Sequence, residues 1–189
     1  MEKRMQTVPP LVVNLFGGPG SGKSTTAALL FGHLKQQNHN VELVTEYAKE
    51  LVWEERTTTL SNQIYLLGKQ SNRMNILLNK VDAIITDSPI LLCSIYKKEI
   101  YPKSFDKLVK WQHDQFTNLN IFLNRAKIFN PRGRVHSLEQ SVEIDNTIKQ
   151  MLIDHEISFK EIDGDEMGVE HIKEYVQNKL LGKHILEHQ

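Results

Sequence analysis

The stretch Gly17-Gly18-Pro19-Gly20-Ser21-Gly22-Lys23-Ser24 constrains this chain more than any other. A short β-rich run, Leu11 to Phe16, precedes it, and a segment with helical patterning, Ser24 to Gln37, follows. Strand, glycine-rich turn and helix in that order satisfy G-x-x-x-x-G-K-[ST] in its required context. The chemistry follows from residue type. Glycines let the backbone turn tightly, so that consecutive N–H groups converge on a phosphate. The positive end of the following helix adds to that attraction. Lys23 can reach the β and γ phosphates as a point charge, and the Ser24 hydroxyl can ligate Mg²⁺. Gly17, Gly18, Pro19, Gly20, Ser21, Gly22, Lys23, Ser24 and Thr25 are therefore the expected ATP-binding set, with Mg²⁺ as the accompanying cation. Such a loop defines a binding mode and leaves the reaction open.

The rest of the chain fits an α/β architecture. Val41 to Thr45, Ala83 to Thr86, Asn120 to Leu123 and Ile157 to Ile162 are short apolar runs without strict alternation. That is the pattern of strands covered on both faces. Leu60 to Leu78 has helical spacing, with Leu60, Ile64, Leu67, Ser71, Met74 and Leu78 near one face. Ser137-Leu138-Glu139-Gln140 fits a capping box opening another helix, and Val169 to Leu181 predicts a last one. Strands alternating with helices imply a parallel sheet with right-handed crossovers. The length of 189 residues, with no linker or repeat, predicts a single domain over 1–189.

Charge and cysteine content remove other classes. Lys and Arg number 23, as do Asp and Glu, so the formal net charge is zero. That balance argues against nucleic-acid binding through bulk positive charge. Cys93 is the one cysteine, which fits a reducing, cytoplasmic setting. No apolar run approaches the roughly 20 residues that span a bilayer, and none of signal type opens the sequence. A GTPase would need D-x-x-G and then N-K-x-D. Asn79-Lys80-Val81-Asp82 and Asp165-Glu166-Met167-Gly168 match by letter, but in reversed order, and are read as chance. An AAA-type motor is not expected either. Little chain remains for a helical lid domain, and no acidic pair closes the Ile84-Ile85-Thr86-Asp87 strand.

A small kinase fits better. Phosphoryl transfer to an alcohol needs a metal, an acid near the acceptor hydroxyl, an acceptor pocket and cations over the phosphates. Asp87 emerges at the carboxyl end of a strand beside the loop. It can hold Mg²⁺, accept the hydroxyl proton, or cap a helix. Glu46 follows the second strand and is a candidate base or acceptor ligand; its plainer role is a first-turn acid on a helix dipole. Asn124 to His136 contains Arg125, Lys127, Arg132 and Arg134, with no acid. This cationic stretch, about 125–138, reads as a short lid whose Arg125, Arg132 and Arg134 stabilise charge on the transferring group. Tyr47, Trp53, Tyr65 and Tyr96 are aromatics that can stack on an acceptor, although core packing is the commoner role.

These motifs, in order, resemble the P-loop kinase domain of bifunctional bacterial nicotinamide-riboside kinase/adenylyltransferase proteins. They also resemble related stand-alone phage P-loop kinases and ATPases. The resemblance rests on Glu46-Tyr47-Ala48-Lys49-Glu50, Leu67-Gly68-Lys69-Gln70, Ile85-Thr86-Asp87-Ser88 and Asn130-Pro131-Arg132-Gly133-Arg134, and runs from Leu11 to about Asp163. It implies a P-loop three-layer sandwich with five parallel strands in the order 2-3-1-4-5. It implies ATP:alcohol phosphotransfer with Glu46 or Asp87 as the catalytic carboxylate, and an acceptor held by Glu46, Tyr47, Lys49 and Gln70. Lys49 stands where the family carries Arg, and Lys makes no planar bidentate contact. The implied acceptor is a nucleoside-like molecule, free or as a hydroxymethylated pyrimidine in phage DNA; 5-hydroxymethyluracil DNA kinases are among the relatives. The alternative is a regulatory ATPase acting through a protein partner.

Overall fold

The computed structural model describes residues 9–126 and 136–187, the side chains of 183–187 excepted. The expected Lys127, Arg132 and Arg134 of the lid lie outside the described residues.

A five-stranded, all-parallel sheet forms the centre. Its strands are β1 (Leu11–Phe16), β2 (Val41–Val44), β3 (Ala83–Thr86), β4 (Thr117–Asn124) and β5 (Lys160–Asp163), and the order is β2-β3-β1-β4-β5. The chain adopts the P-loop NTPase α/β fold expected of it. β4 runs further than Asn120 to Leu123, and β5 starts later than Ile157, because each pairs only where its neighbour is available. Ile121 of β4 is the first residue opposite β5, at Lys160.

Alternation along β1 sorts the core into two layers. Val12 and Phe16 join Ile84, Phe122 and helices on one face. Leu11, Val13 and Leu15 join α1 (Lys23–Gln36) and α8 (Glu166–Glu187) on the other. Ala27, Leu30 and Leu34 of α1 and Ile172, Val176 and Leu180 of α8 are buried there. The first face is covered by α4 (Gln63–Asn75), α5 (Leu92–Ile95), α6 (Lys103–Asp114) and α7 (Leu138–Asp154). Asn14 sits among these apolar residues without orphaning its amide. Its Nδ2 donates to Asn118 Oδ1 at 2.8 Å and Asn120 Oδ1 at 3.0 Å. Asn14 and Asn120 are direct cross-strand neighbours, so the pair rewards one register of β1 on β4.

Two expectations need correction. The helix predicted over Leu60 to Leu78 is shorter, because the Asn62 side chain caps it by accepting the Tyr65 N–H at 3.1 Å. Leu60 belongs instead to α3 (Thr57–Leu60), after α2 (Tyr47–Trp53). The buried face of α4 is Gln63, Leu66, Leu67, Gln70, Ser71 and Met74, and Ile64 is 61% exposed. The polar Gln63 and Gln70 take the inward phase that apolarity alone assigned to Ile64. The capping box at Ser137 forms as expected, with Ser137 and Gln140 satisfying each other's backbone N–H.

The N-K-x-D string closes a turn at the amino end of β3, the end of the sheet away from the glycine loop. Asn79 has a φ of 60°, Lys80 O accepts from Asn40 Nδ2 at 2.7 Å, and Asp82 accepts the Asn40 N–H at 3.0 Å. Asp165 accepts the Gly168 N–H at 2.7 Å and starts α8. Both strings therefore have local structural jobs.

Candidate active site

The order β2-β3-β1-β4-β5 places β1 between β3 and β4, so the crevice at their carboxyl ends receives three loops. The first is the glycine loop. Gly22, at φ 103°, adopts a left-handed conformation that turns the chain into α1. No acceptor among the described residues takes the N–H groups of Gly20, Gly22, Lys23, Ser24 or Thr25. Those residues line a cavity of about 710 Å³. A row of unpartnered N–H donors at a helix start, facing a cavity, fits a polyphosphate. The Lys23 amine donates to Gly17 O at 2.6 Å and Gly18 O at 3.0 Å. Burial lowers its pKa, against the opposing charges of Glu46 and Asp87. Incoming phosphate oxygens would exchange neutral carbonyls for anions at that amine.

The second loop follows β2 and carries Glu46, the residue before α2. Burial, chiefly, raises its carboxyl above the ordinary 4.5; Asp87 pushes the same way and Lys23 opposes. The third follows β3 and carries Asp87, which is 4% exposed. Its Oδ1 accepts the Glu46 N–H at 3.0 Å. The expected helix cap by Asp87 is not what the structure shows, since α5 begins only at Leu92. Asp87 instead ties the β2 loop to the β3 loop. Lys23, Glu46 and Asp87, read separately from the sequence, thus form one charged group.

The cavity continues from Lys23 and Glu46 between α2, α3, α4 and α5. Tyr47, Lys49, Trp53, Gln70, Tyr96 and His136 are among its walls. Gln70 is 4% exposed; its Nε2 donates to Ser88 O at 3.2 Å and Thr86 Oγ1 at 3.4 Å. Its Oε1 has no partner among the described residues. That acceptor is itself shielded from solvent, on a residue that lines the cavity, and a donor on a bound molecule would reach it only with a shift of the Gln70 amide. Tyr47 and Tyr65 have hydroxyls 3.0 Å apart, and the Arg73 guanidinium lies 4.9 Å from the Tyr47 ring. Arg73 also donates to Thr45 O and pairs with Glu50 at 2.7 Å. This group staples α2 to α4, so Tyr47 has a structural task beside its place in the wall. Trp53 is 70% exposed at the cavity. Burial pushes the Cys93 thiol up to about 12, which makes it an inert wall residue.

Arg125 was expected over the phosphates. Its guanidinium instead pairs with Asp145 and donates to Pro19 O at 2.8 Å and Ser141 O at 3.0 Å. Asp145 in turn accepts the Gly18 N–H. Nothing in the spacing of α7 singles Asp145 out among its acids; only the folded contact does. The Asp163-Gly164-Asp165 turn also supports the loop, because a Cβ on Gly164 would come within 2.5 Å of Ser21 O.

Ser24 and Asp87 offer hard oxygen ligands, which suit Mg²⁺ when phosphates supply the remaining oxygens. Among the described residues no group of three or more His, Cys, Asp or Glu is arranged to hold a metal by itself.

Fold and loop together define a P-loop NTPase with the topology of nucleotide kinases. Residues 12–167 match the family described as an AAA domain, and the chain belongs to that family. The expectation set aside only an AAA-type motor, and the family match does not test that. The grounds for that expectation remain visible, in that a single acid, Asp87, follows β3 and α8 is the one helix described after β5. Among solved structures, the chain resembles thymidylate kinase from Ehrlichia chaffeensis at 14% identity and a TM-score of 0.56. That match covers 90% of this chain and 100% of that one. A second, APE1195, matches at 17% identity and a TM-score of 0.47, over 92% and 96% of the two chains. No curated protein matches by sequence. No helix among the described residues is long and apolar enough to cross a membrane.

Proposed function

We propose that this protein is a kinase that transfers the γ-phosphoryl group of ATP to a hydroxyl of a nucleoside-like acceptor. One observation carries the reading. A single cavity starts at the unpartnered N–H groups of the glycine loop, passes Glu46 and continues to Gln70. Its volume of about 710 Å³ falls within the 300–1,000 Å³ usual for small-molecule sites. An ATPase that only hydrolyses needs room for water beyond the γ phosphate, whereas this cavity has a second, largely apolar half.

The roles divide as follows. The loop N–H groups and Lys23 hold the triphosphate. Ser24 and Asp87 would hold Mg²⁺, which neutralises phosphate charge. Glu46, whose carboxyl burial holds above its ordinary 4.5, accepts the acceptor's hydroxyl proton. The freed oxygen bonds to the γ phosphorus as the β–γ bridging bond breaks, and ADP leaves with that electron pair. Gln70, with a shift of its amide, offers its unpartnered Oε1 to a donor on the acceptor, and Trp53 and Tyr96 supply flat surfaces. The likeness of motif order to nicotinamide-riboside kinase domains and phage kinases supports the acceptor class.

Labelled ATP should be incubated with a panel of nucleosides, mononucleotides and DNA carrying hydroxymethylated pyrimidines. Label is expected on a hydroxyl of a nucleoside-like member. ATP binding with no transfer to any of them overturns the proposal and leaves a regulatory ATPase.

A further inference from the structure

Arg125 and Asp145 meet at the back of the glycine loop, where the reaction described above gives neither of them a task. We propose that they are positioning residues that hold the loop in its phosphate-binding shape, Asp145 from α7 and Arg125 from the end of β4, a proposal that rests on the nucleotide-binding half of the reading above. Arg125, on this view, does not stabilise charge on the transferring group.

The contacts converge on one dipeptide. The Gly18 N–H donates to Asp145 Oδ1 at 2.5 Å. Pro19 O accepts from Arg125 Nη1 at 2.8 Å. Arg125 Nε closes the ion pair on Asp145 Oδ2, and Nη2 donates to Ser141 O at 3.0 Å. The Gly18 N–H is thus fixed to α7 through Asp145, and Pro19 O to Arg125, which follows β4 and is itself tied to α7. Pro19 has no N–H of its own to direct. The next donors, on Gly20, Gly22, Lys23 and Ser24, are those left without acceptors at the cavity. The approach is close as well as bonded. A Cβ on Gly18 would lie 2.5 Å from Ser141 O and 2.9 Å from Arg125 Nη2. Helix α7 therefore bears directly on the loop, with no space for it to sag.

The arrangement makes electrical sense only as a pair. Asp145 is 8% exposed, and a lone buried carboxylate behind a phosphate site would repel the ligand. Pairing with Arg125 cancels that charge while keeping the acceptor for Gly18. If Arg125 served the phosphates through charge alone, Asp145 would be a handicap, and removing it would strengthen ATP binding. A brace predicts the opposite sign.

The test is the dissociation constant of ATP for the intact protein, by calorimetry, with no turnover required. Asp145→Ala is expected to weaken ATP binding about tenfold to thirtyfold, the scale of a lost charge-assisted hydrogen bond. Asp145→Asn keeps an acceptor for the Gly18 N–H but turns its NH2 group against the Arg125 Nε–H and leaves that charge unpaired, and should weaken binding about threefold to tenfold, less than Asp145→Ala. Arg125→Lys keeps the charge but cannot span Pro19 O and Ser141 O, and should weaken binding about tenfold. Thermal melts without nucleotide identify a variant that fails to fold. Should Asp145→Ala fail, Asp145→Asn and Arg125→Lys decide the matter between them. Asp145→Ala binding ATP as tightly as wild type or tighter overturns the brace, and so does Arg125→Lys matching wild type. Because binding is read alone, an absence of phosphoryl transfer in the labelling assay leaves this result standing.

Discussion

The two halves of the cavity are built by different means. At the phosphate end, contiguous backbone does the binding, and nine residues from Gly17 to Thr25 contain nearly all of it. At the acceptor end, side chains do the binding, and they come from α2, α3, α4 and α5. A backbone site needs glycine at fixed positions and tolerates little else, so it leaves a contiguous signature. A side-chain site is assembled by packing and can change occupant one residue at a time. The difference predicts that variants at the two ends affect different constants: ATP affinity at one and acceptor affinity at the other.

Lys23→Ala should have the largest effect. The amine that now lies on Gly17 O and Gly18 O is the one cation of the glycine loop itself. Its loss should lower turnover about a thousandfold or more, on the scale of removing a preorganised electrostatic partner. Turnover within tenfold of wild type would put the phosphates somewhere else.

Glu46 stands at the boundary of the two halves, and Glu46→Gln should reduce kcat by about 10² to 10⁴, the usual span for a general base. The pH dependence has a definite sign. Burial holds the carboxyl above its ordinary 4.5, and the base must be ionised to act. Wild-type kcat should therefore rise with pH through an acid limb displaced above 4.5. The limb should vanish in Glu46→Gln, while ATP affinity changes little. A limb that persists in the variant would move the base to Asp87.

How much of this was legible in the sequence follows the same division. The P-loop, Glu46 and Asp87 each end a strand or start a helix, and strand ends are marked by apolar runs and glycine. The sheet itself was legible for that reason, strand by strand. Ile64 was misplaced because hydrophobic spacing assumes that apolar residues point inward, and α4 turns Gln63 and Gln70 inward instead. Gln70 was noticed only through the resemblance, since a helix Gln in isolation is ordinarily solvated. Asp145 left no trace at all. Its partners are Gly18 and Arg125, 127 and 20 residues away, and only the fold brings them together. Trp53 could be named for stacking beside the commoner role of core packing, and only the fold puts it, 70% exposed, at the cavity.

Gly18→Ala tests the phosphate half without touching a charge. The added Cβ would lie 2.5 Å from Ser141 O, a backbone atom that cannot swing aside. Overpacking of this kind costs about 1–3 kcal/mol, or roughly tenfold to a hundredfold. That loss should fall on ATP affinity, with the acceptor KM unchanged. An equal loss in both constants would mean that the two halves are mechanically one.

Gln70→Met gives the smallest and most selective effect. The volume is conserved, so the apolar packing of α4 should survive. What disappears is the unpartnered Oε1 and the Nε2 donation to Ser88 O, and each has a separate reading. Losing the donation leaves a carbonyl without its partner and should lower the melting temperature whatever is bound. Losing Oε1 should raise the acceptor KM about tenfold, the price of leaving a donor on the bound molecule unpaired. The ATP KM should stay put. An acceptor analogue lacking that donor should already bind poorly to wild type and should lose nothing further in Gln70→Met. If the analogue and the true acceptor lose equally, Gln70 is a support for the β3 loop and reads no chemistry, and selectivity must come from the flat surfaces of Trp53 and Tyr96.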